Sequence, residues 1–146
     1  MKNKKKYGQF YTTNCNYILS NITIPNGSTL IEPFVGQGDL VVWSKQTNWE
    51  MYDIDPKITT ATIRDTLLKP PDYKGKFVIT NPPFLARNKN KDKTIYDLYD
   101  VNDLYKAAIK SFIEGEVEGG ILIITLNFFC VTDKKIRDLF FAKYNI

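Results

Sequence analysis

The stretch TNPPF, residues 80–84, carries the residue types best suited to chemistry in this chain. It follows the apolar run KFVI and sets the amide of Asn81 and the ring of Phe84 on either side of Pro82 and Pro83. Proline fixes its own φ, lacks an N–H and forces extended geometry on the residue before it, so the stretch could be only a turn. The alternative is a chemical role for the amide and the ring. The rest of the sequence has to separate these two interpretations.

A glycine-containing turn, EPFVGQGDL at residues 32–40, comes directly after another apolar run. Gly36 and Gly38 would let the backbone approach a ligand where a strand leads into a helix, the place where open α/β sheets bind nucleotides. The stretch lacks the third glycine of the dinucleotide fingerprint, so by itself it is equally consistent with an ordinary turn.

Two carboxylates, Asp53 and Asp55, end the next apolar segment in the sequence YDIDP. An acid at this point of an α/β sheet is well placed to accept hydrogen bonds from ribose hydroxyls. Acids also commonly end strands at a protein surface. Taken together with the glycine turn, the pair favours a cofactor that contains adenosine.

The elements that must position these residues alternate between short apolar runs and amphipathic stretches, which predicts an α/β fold with a parallel sheet and crossover helices. The predicted strands are 29–34, 49–55, 61–65, 76–80 and 119–129, and the predicted helices are 14–20, 39–45, 102–114 and 133–143. The stretch between Phe84 and the third helix is basic and predicts a loop, either mobile and able to close on phosphate or simply solvated.

Length and composition are those of one globular domain: 146 residues, 43% hydrophobic and 25% charged, with a basic tail at 1–6 that we expect to be disordered. The chain has no histidine, and Cys15 and Cys130 are far apart, which excludes zinc-finger spacing and histidine-based acid–base chemistry. We expect both cysteines to be reduced packing residues and no metal to be bound. No run reaches the roughly 18 apolar residues of a membrane span, and no secretion signal is apparent. We therefore expect a cytoplasmic protein. The bias towards Asn, Lys and Ile suggests an AT-rich genome, bacterial or viral.

In order, YGQFYT, EPFVGQG, YDIDP, RD and TNPPF resemble the motifs of S-adenosylmethionine-dependent amino-group methyltransferases, specifically N6-adenine DNA methyltransferases of the gamma arrangement. The resemblance extends from Tyr7 to about Phe129. It implies a Rossmann-like class I methyltransferase fold, a three-layer sandwich with a mostly parallel sheet, and DNA as the substrate. The NPPF motif is shared with RNA adenine and protein glutamine methyltransferases, whereas GQFYT followed by EPFVGQG favours DNA.

The resemblance implies a role for each matching residue. Tyr11 and Thr12 would line the methionine end of the cofactor, Asp53 would hold the ribose hydroxyls, and Asp65 would accept a hydrogen bond from the cofactor's adenine. The implied cofactor-binding residues are Tyr11, Thr12, Glu32, Pro33, Phe34, Gly36, Gly38, Asp53, Ile54 and Asp65.

The same resemblance makes Asn81, Pro82, Pro83 and Phe84 the catalytic segment. The exocyclic nitrogen of adenine is a poor nucleophile because its lone pair is delocalised into the ring. Two acceptors, the side-chain oxygen of Asn81 and the backbone carbonyl of Pro82, would draw this nitrogen towards tetrahedral geometry. Phe84 would offer a ring on which a flipped base stacks.

The sequence departs from the family at its end, where the C-terminal antiparallel hairpin and a target-recognition region are missing. We therefore expect a partial catalytic domain, either a fragment of a longer protein or a naturally short chain that relies on a partner. In both cases the fifth strand is expected to be an uncapped edge, which favours self-association or a protein partner. A non-catalytic S-adenosylmethionine-binding or scaffold subunit is the remaining alternative.

Overall fold

A parallel sheet of five strands lies at the centre of the computed structural model, which describes residues 7–130 and 133–146. The predicted basic tail at 1–6 lies outside the described residues. The strands are β1 (Leu30–Glu32), β2 (Trp49–Asp53), β3 (Thr62–Ile63), β4 (Phe77–Thr80) and β5 (Gly119–Leu122). Their spatial order is β3-β2-β1-β4-β5, and every neighbouring pair is parallel. The α/β, Rossmann-like fold class predicted from the sequence is confirmed.

The strand order reverses between β1 and β4, which are neighbours in space but not in sequence. Leu30 of β1 is aligned with Phe77 of β4 and with Trp49 of β2. Because the strands are parallel, the segments that follow β1, β2 and β4 all leave at the same edge of the sheet. The TNPPF stretch and the glycine turn are thereby brought to the point where such sheets bind ligands.

Helices cover both faces of the sheet. They are α1 (Cys15–Ile18), α2 (Asp39–Ser44), α3 (Thr94–Tyr99), α4 (Leu104–Glu114) and α5 (Lys134–Phe141), with short 3-10 turns at Arg87–Lys89 and Leu126–Phe129. The helix predicted at 102–114 is confirmed as α4: Asp103 caps its first turn by accepting a hydrogen bond from the backbone N–H of Tyr105, and Gly115 follows its last residue.

The core is divided between the two faces because successive residues of a strand point to opposite sides. Ile31 and Val78 are buried with the apolar side of α4. Leu30 and Ile79 are buried on the other face with Leu40 of α2. This arrangement gives three layers, with the sheet in the middle.

Several predicted elements are corrected. The predicted strand at 119–129 is too long, because β5 ends at Leu122 and residues 126–129 form a 3-10 turn that buries Phe128. An apolar run alone does not distinguish a buried strand from a buried turn of helix. The predicted strands 29–34, 49–55, 61–65 and 76–80 extend by one or two residues beyond β1, β2, β3 and β4 at one or both ends. Cys130, which was expected to pack in the interior, is exposed. As expected for an edge, β5 pairs only with β4 in the part of the chain that the structure describes.

The loop predicted after Phe84 is also wrong in part, because α3 forms within it. Tyr96 and Tyr99 of α3 are buried against the core, and their hydroxyls donate hydrogen bonds to the backbone carbonyls of Leu85 and Leu67. The many charged residues of this stretch indicated a loop, whereas its two tyrosines, one helical turn apart, pack into the core. Across residues 7–130 and 133–146, no helix combines the length and the apolar character needed to cross a membrane.

Candidate functional site

A cleft of about 220 Å³ opens at the edge of the sheet where the parallel strands end. Segments that follow β1, β2, β3 and β4 contribute to it, together with residues near the N-terminus and residues before α3. Eight residues that the sequence analysis assigned to the site line this cleft: Tyr11, Phe34, Gly36, Asp53, Ile54, Asp65, Asn81 and Pro83.

Asp53, at the end of β2, accepts three hydrogen bonds through its side chain. Its side chain is buried, with Oδ2 accepting a hydrogen bond from the N–H of Gly36 at 2.8 Å. Its Oδ1 accepts from the N–H of Asp55 at 2.8 Å and from Nε2 of Gln9 at 3.1 Å. Gln9 is the only one of these three donors that a side-chain rotation could remove. Ligand hydroxyls could therefore reach Asp53 by replacing Gln9.

Asp55 differs from Asp53 although only one residue separates them. Its carboxylate forms an ion pair with Lys57 at 2.6 Å. Asp55 does not line the cleft, whereas Asp53 and the partly exposed Ile54 do. The sequence preference for Asp53 over Asp55 as the ligand-facing acid thus agrees with their positions.

The two glycines of the turn after β1 serve different purposes. Both have positive φ, +54° at Gly36 and +88° at Gly38, which is the region that glycine tolerates best. A Cβ at Gly36 would lie 3.1 Å from the ring of Tyr11, so this glycine allows the N-terminal segment to approach. Gly38 does not line the cleft and precedes the first residue of α2.

Asp65 follows β3 and lines the far side of the cleft. Its Oδ1 accepts hydrogen bonds from the backbone N–H groups of Leu67 at 3.1 Å and Leu68 at 3.0 Å. These bonds hold the carboxylate at the start of a turn. The second oxygen, Oδ2, is the atom through which Asp65 could accept from a ligand.

Glu32, at the end of β1, is buried beneath the cleft instead of lining it. Its Oε1 accepts a hydrogen bond from the hydroxyl of Thr80, at the end of β4, and another from the N–H of Phe34 at 3.1 Å. Burial raises the pKa of Glu32 to about 8, although both hydrogen bonds act in the opposite direction. Glu32 therefore joins the segment after β1 to the segment after β4.

Asn81, the first residue after β4, has its amide held in one orientation. Its Nδ2 donates to the backbone carbonyl of Phe10 at 3.0 Å and to Oγ1 of Thr12 at 3.1 Å. Its Oδ1 is buried and has no hydrogen-bond partner within residues 7–130 and 133–146. A buried acceptor without a donor costs free energy, so this oxygen at the cleft is suited to a donor from a ligand.

The N-terminal segment lies directly against the TNPPF stretch. The N–H of Phe84 donates to the carbonyl of Gly8 at 2.9 Å, and a Cβ on Gly8 would come within 2.7 Å of the Phe84 carbonyl oxygen. Phe10 is 62% exposed, and its ring centroid lies 6.0 Å from that of Phe84 in an edge-on arrangement. Phe84 therefore sits beside the cleft, with an exposed ring next to it.

The other assigned residues support the site without lining it. Thr12 is buried and accepts from Asn81, while the carbonyl of Pro33 accepts from the hydroxyl of Thr66 at 3.0 Å. The complete set of assigned residues outside the lining is Thr12, Glu32, Pro33, Gly38, Pro82 and Phe84.

The sequence analysis did not assign ten of the residues that line the cleft: Tyr7, Gln9, Phe10, Arg64, Thr66, Leu67, Asn90, Asp92, Ile95 and Leu104. It also missed Gly8 and Thr80, which hold neighbouring segments together without lining the cleft. Tyr7, Gly8, Gln9, Phe10 and Thr80 belong to the quoted stretches YGQFYT and TNPPF, so their position within a motif was the available signal. Their individual roles depend on contacts between segments about 70 residues apart, such as the one from Asn81 to Phe10, which lies 71 residues away.

No protein-family description matches this chain, and no curated protein is recognisably related to it in sequence.

Proposed function

We propose that this protein transfers a methyl group from S-adenosylmethionine to the exocyclic amine of adenine in DNA. The observation that carries the proposal is the unpartnered, buried Oδ1 of Asn81 at the cleft. Because Phe10 and Thr12 take both hydrogen bonds that Nδ2 makes, the amide is oriented with its acceptor free. An exocyclic amine is a donor of the kind that such an acceptor requires.

Asn81 would act on the amine by accepting one of its hydrogens. This hydrogen bond favours a nitrogen whose lone pair is less delocalised into the adenine ring and is therefore a better nucleophile. Phe84 would provide a face for the extruded base. The chain needs no histidine for this role, since the amine does not have to lose a proton before it reacts.

The cleft offers polar groups that suit an adenosine-containing cofactor. Asp53 would accept from the ribose hydroxyls after displacing Gln9, and Asp65 would accept from the adenine amine through Oδ2. Ile54 is 40% exposed at the cleft and would pack against the adenine ring. When bound, S-adenosylmethionine supplies an electrophilic methyl group on a positively charged sulfur.

A nucleic acid is favoured over a protein as the substrate by the cations beside the cleft, and the resemblance of GQFYT and EPFVGQG favours DNA. Asn90 and Asp92 line the cleft, and the adjacent Lys89 and Lys91 are exposed at its rim. Exposed lysines next to a base-binding pocket would contact phosphates and draw a polyanion to the site. A nucleic-acid substrate also agrees with the expected cytoplasmic location.

The same chemistry on another amine, in RNA adenine or a protein glutamine side chain, is the first alternative, because the Asn81 acceptor serves any of them. The second is a subunit that binds S-adenosylmethionine without catalysis. Incubation with labelled S-adenosylmethionine and DNA, RNA or protein in parallel separates these classes: we expect label in DNA. Label only in RNA or protein would overturn the choice of substrate.

The decisive variant is Asn81→Ala, which we expect to reduce methyl transfer at least about 100-fold, as for loss of one preorganised group in an active site. Asn48→Ala is the matched control, since it removes the same side chain at an exposed position before β2 that does not line the cleft. Calorimetric titration of S-adenosylmethionine should give similar affinities for both variants. Methyl transfer by Asn81→Ala at the rate of Asn48→Ala would contradict the acceptor role.

A further inference from the structure

We propose that Tyr105 is a positioning residue for Phe84, and that the buried ion pair between Lys106 and Asp133 holds Tyr105 in place. This inference rests on the proposed function, because it assigns the buried side of the ring on which the base would stack. It concerns side chains of α4 and of the segment before α5, none of which line the cleft.

The rings of Phe84 and Tyr105 are in contact. Their centroids are 5.7 Å apart and their planes are tilted by 37°. Tyr105 is 4% exposed, whereas Phe10, on another side of Phe84, is 62% exposed. Phe84 thus has a movable neighbour towards solvent and a fixed one towards the core, so Tyr105 is the ring that can determine its orientation.

The hydroxyl of Tyr105 is anchored at its far end. It donates a hydrogen bond to Oδ2 of Asp133, whose Oδ1 receives the ammonium group of Lys106. The Asp133 side chain is 2% exposed and that of Lys106 is 13% exposed. Burial and the adjacent carboxylate both raise the pKa of Tyr105, so its hydroxyl remains a donor at physiological pH.

A buried ion pair is an expensive way to stabilise a fold, because desolvation offsets most of the attraction between the charges. Apolar residues of similar size would fill the same space at lower cost. What the pair adds is position: the Asp133 carboxylate, held by Lys106, accepts a hydrogen bond from the Tyr105 hydroxyl and so fixes where the far end of the ring lies. Phe84 therefore packs against a ring that is held at both ends, by the backbone of α4 and by Asp133.

The first turn of α4 holds the TNPPF segment in a second way. Oδ1 of Asp103 accepts from the backbone N–H of Leu85 at 3.2 Å, so the backbone that follows Phe84 is attached to the same turn as Tyr105. Because Asp133 lies directly before α5, the position of α5 is linked to Phe84 through Tyr105. Backbone and ring of residue 84 are therefore held from one helix end.

The test compares Tyr105→Phe and Asp133→Asn with Tyr99→Phe. Tyr99 is a buried tyrosine of the same layer, and its hydroxyl donates to the carbonyl of Leu67 at 2.8 Å, so its variant loses an equivalent bond away from Phe84. Each variant carries 4-fluorophenylalanine at position 84 and is examined by 19F NMR. We expect the resonance to shift or broaden in the first two variants and to match wild type in Tyr99→Phe.

The second measurement compares the effect of each variant on DNA with its effect on S-adenosylmethionine. The KM for DNA should rise about 5-fold or more in Tyr105→Phe and Asp133→Asn, the lower end of what base stacking on an aromatic ring contributes. The affinity for S-adenosylmethionine, measured by calorimetry, should stay at the wild-type value. A merely structural role would weaken both or neither.

An unchanged 19F resonance in folded Tyr105→Phe or folded Asp133→Asn would overturn the proposal, as would a Tyr99→Phe variant with the same change. If one of the two variants does not fold, the other decides. If wild-type protein transfers no methyl group to any acceptor, the proposed function fails, and the 19F comparison still decides whether Tyr105 positions Phe84.

Discussion

The buried carboxyl group of Glu32 accepts a hydrogen bond from the hydroxyl of Thr80, and this bond connects the end of β1 to the end of β4. Both residues are essentially inaccessible to solvent, at 2% and 0% exposure. Glu32 also accepts from the N–H of Phe34. The segment that would hold the cofactor and the segment that would carry Asn81 are therefore held together below the cleft by one side chain.

The burial of Glu32 makes stability depend on pH. Its pKa is raised from 4.5 to about 8, first because burial disfavours the charged form and further because Asp53 is near. A raised pKa in the folded protein means that the folded chain binds the proton more tightly, so stability is highest below pH 4.5 and falls as the pH rises to about 8. The slope from this group approaches about 1.4 kcal/mol per pH unit.

Glu32→Gln removes the titrating group and keeps an acceptor for Thr80. We expect the free energy of unfolding, measured with denaturant at several pH values across this window, to lose that slope. Glu114→Gln, an exposed position on α4, should keep the wild-type slope. A slope that persists in Glu32→Gln would show that another group causes it.

Gly8 should be intolerant of any side chain. Its φ is +66°, and a Cβ would lie 2.7 Å from the carbonyl oxygen of Phe84. Gly27 is a matched control, with φ of +80° and no atom within 4 Å of the added carbon. We expect Gly8→Ala to lower the free energy of unfolding by at least about 1 kcal/mol more than Gly27→Ala, because overpacking adds to backbone strain.

The same pair tests the contact between the N-terminal segment and the TNPPF stretch. Since Gly8 also accepts from the N–H of Phe84, its displacement should reduce methyl transfer as well. Equal losses of stability in Gly8→Ala and Gly27→Ala, measured by urea unfolding, would mean that the two segments do not pack as described.

Asp53 should control cofactor affinity, and Asp55 should not. We expect Asp53→Asn to weaken binding of S-adenosylmethionine about 10-fold or more, because it removes a charged acceptor. Asp55→Asn removes the same charge one residue after Ile54, at a side chain paired with Lys57 outside the cleft. Calorimetric titration compares the two variants, and similar losses in both would point to overall charge instead of a contact at Asp53.

In the basic stretch after Phe84, some cations form internal contacts and others are exposed. Arg87 pairs with Asp97 at 2.6 Å, and Lys93 donates to the backbone carbonyls of Arg87 and Asn90. Lys89 and Lys91 are exposed. Of these four cations, only Lys89 and Lys91 can be replaced without loss of internal contacts. These two are therefore the residues to test for contact with phosphate.

If Lys89 and Lys91 contact phosphate, a Lys89→Ser and Lys91→Ser double variant should reduce the dependence of log K on log salt by about 2 for duplex DNA. Lys45→Asn with Lys74→Ser removes two charges near the opposite edge of the sheet, before β2 and β4, and should leave the slope unchanged. Asparagine suits position 45 because φ there is +56°. If log K depends on log salt equally in both double variants, Lys89 and Lys91 do not contact phosphate.

The fold class was predictable because it depends on local patterns of apolar and polar residues. Short apolar runs separated by amphipathic segments indicate a parallel sheet with crossover helices, and the capping residue Asp103 and terminal Gly115 bracket α4 in the sequence itself. The end of β4 was recognisable from the residues that follow it, whereas the strands predicted at 29–34 and 49–55 run two residues past the ends of β1 and β2. These features depend on residues close together in the chain.

The sequence by itself thus determined the sheet and brought Asn81, Asp53 and Gly36 to one edge of it. Only the tertiary structure decided which acceptor atoms are already occupied: Nδ2 of Asn81 is engaged by the N-terminal segment while Oδ1 is not, and Glu32 lies beneath the cleft instead of within it. The contact between Tyr105 and Phe84 arises only when α4 packs against the sheet. The physical reason is that hydrogen-bond partners and ring contacts between distant segments depend on how the chain packs, and no local pattern of residues records them.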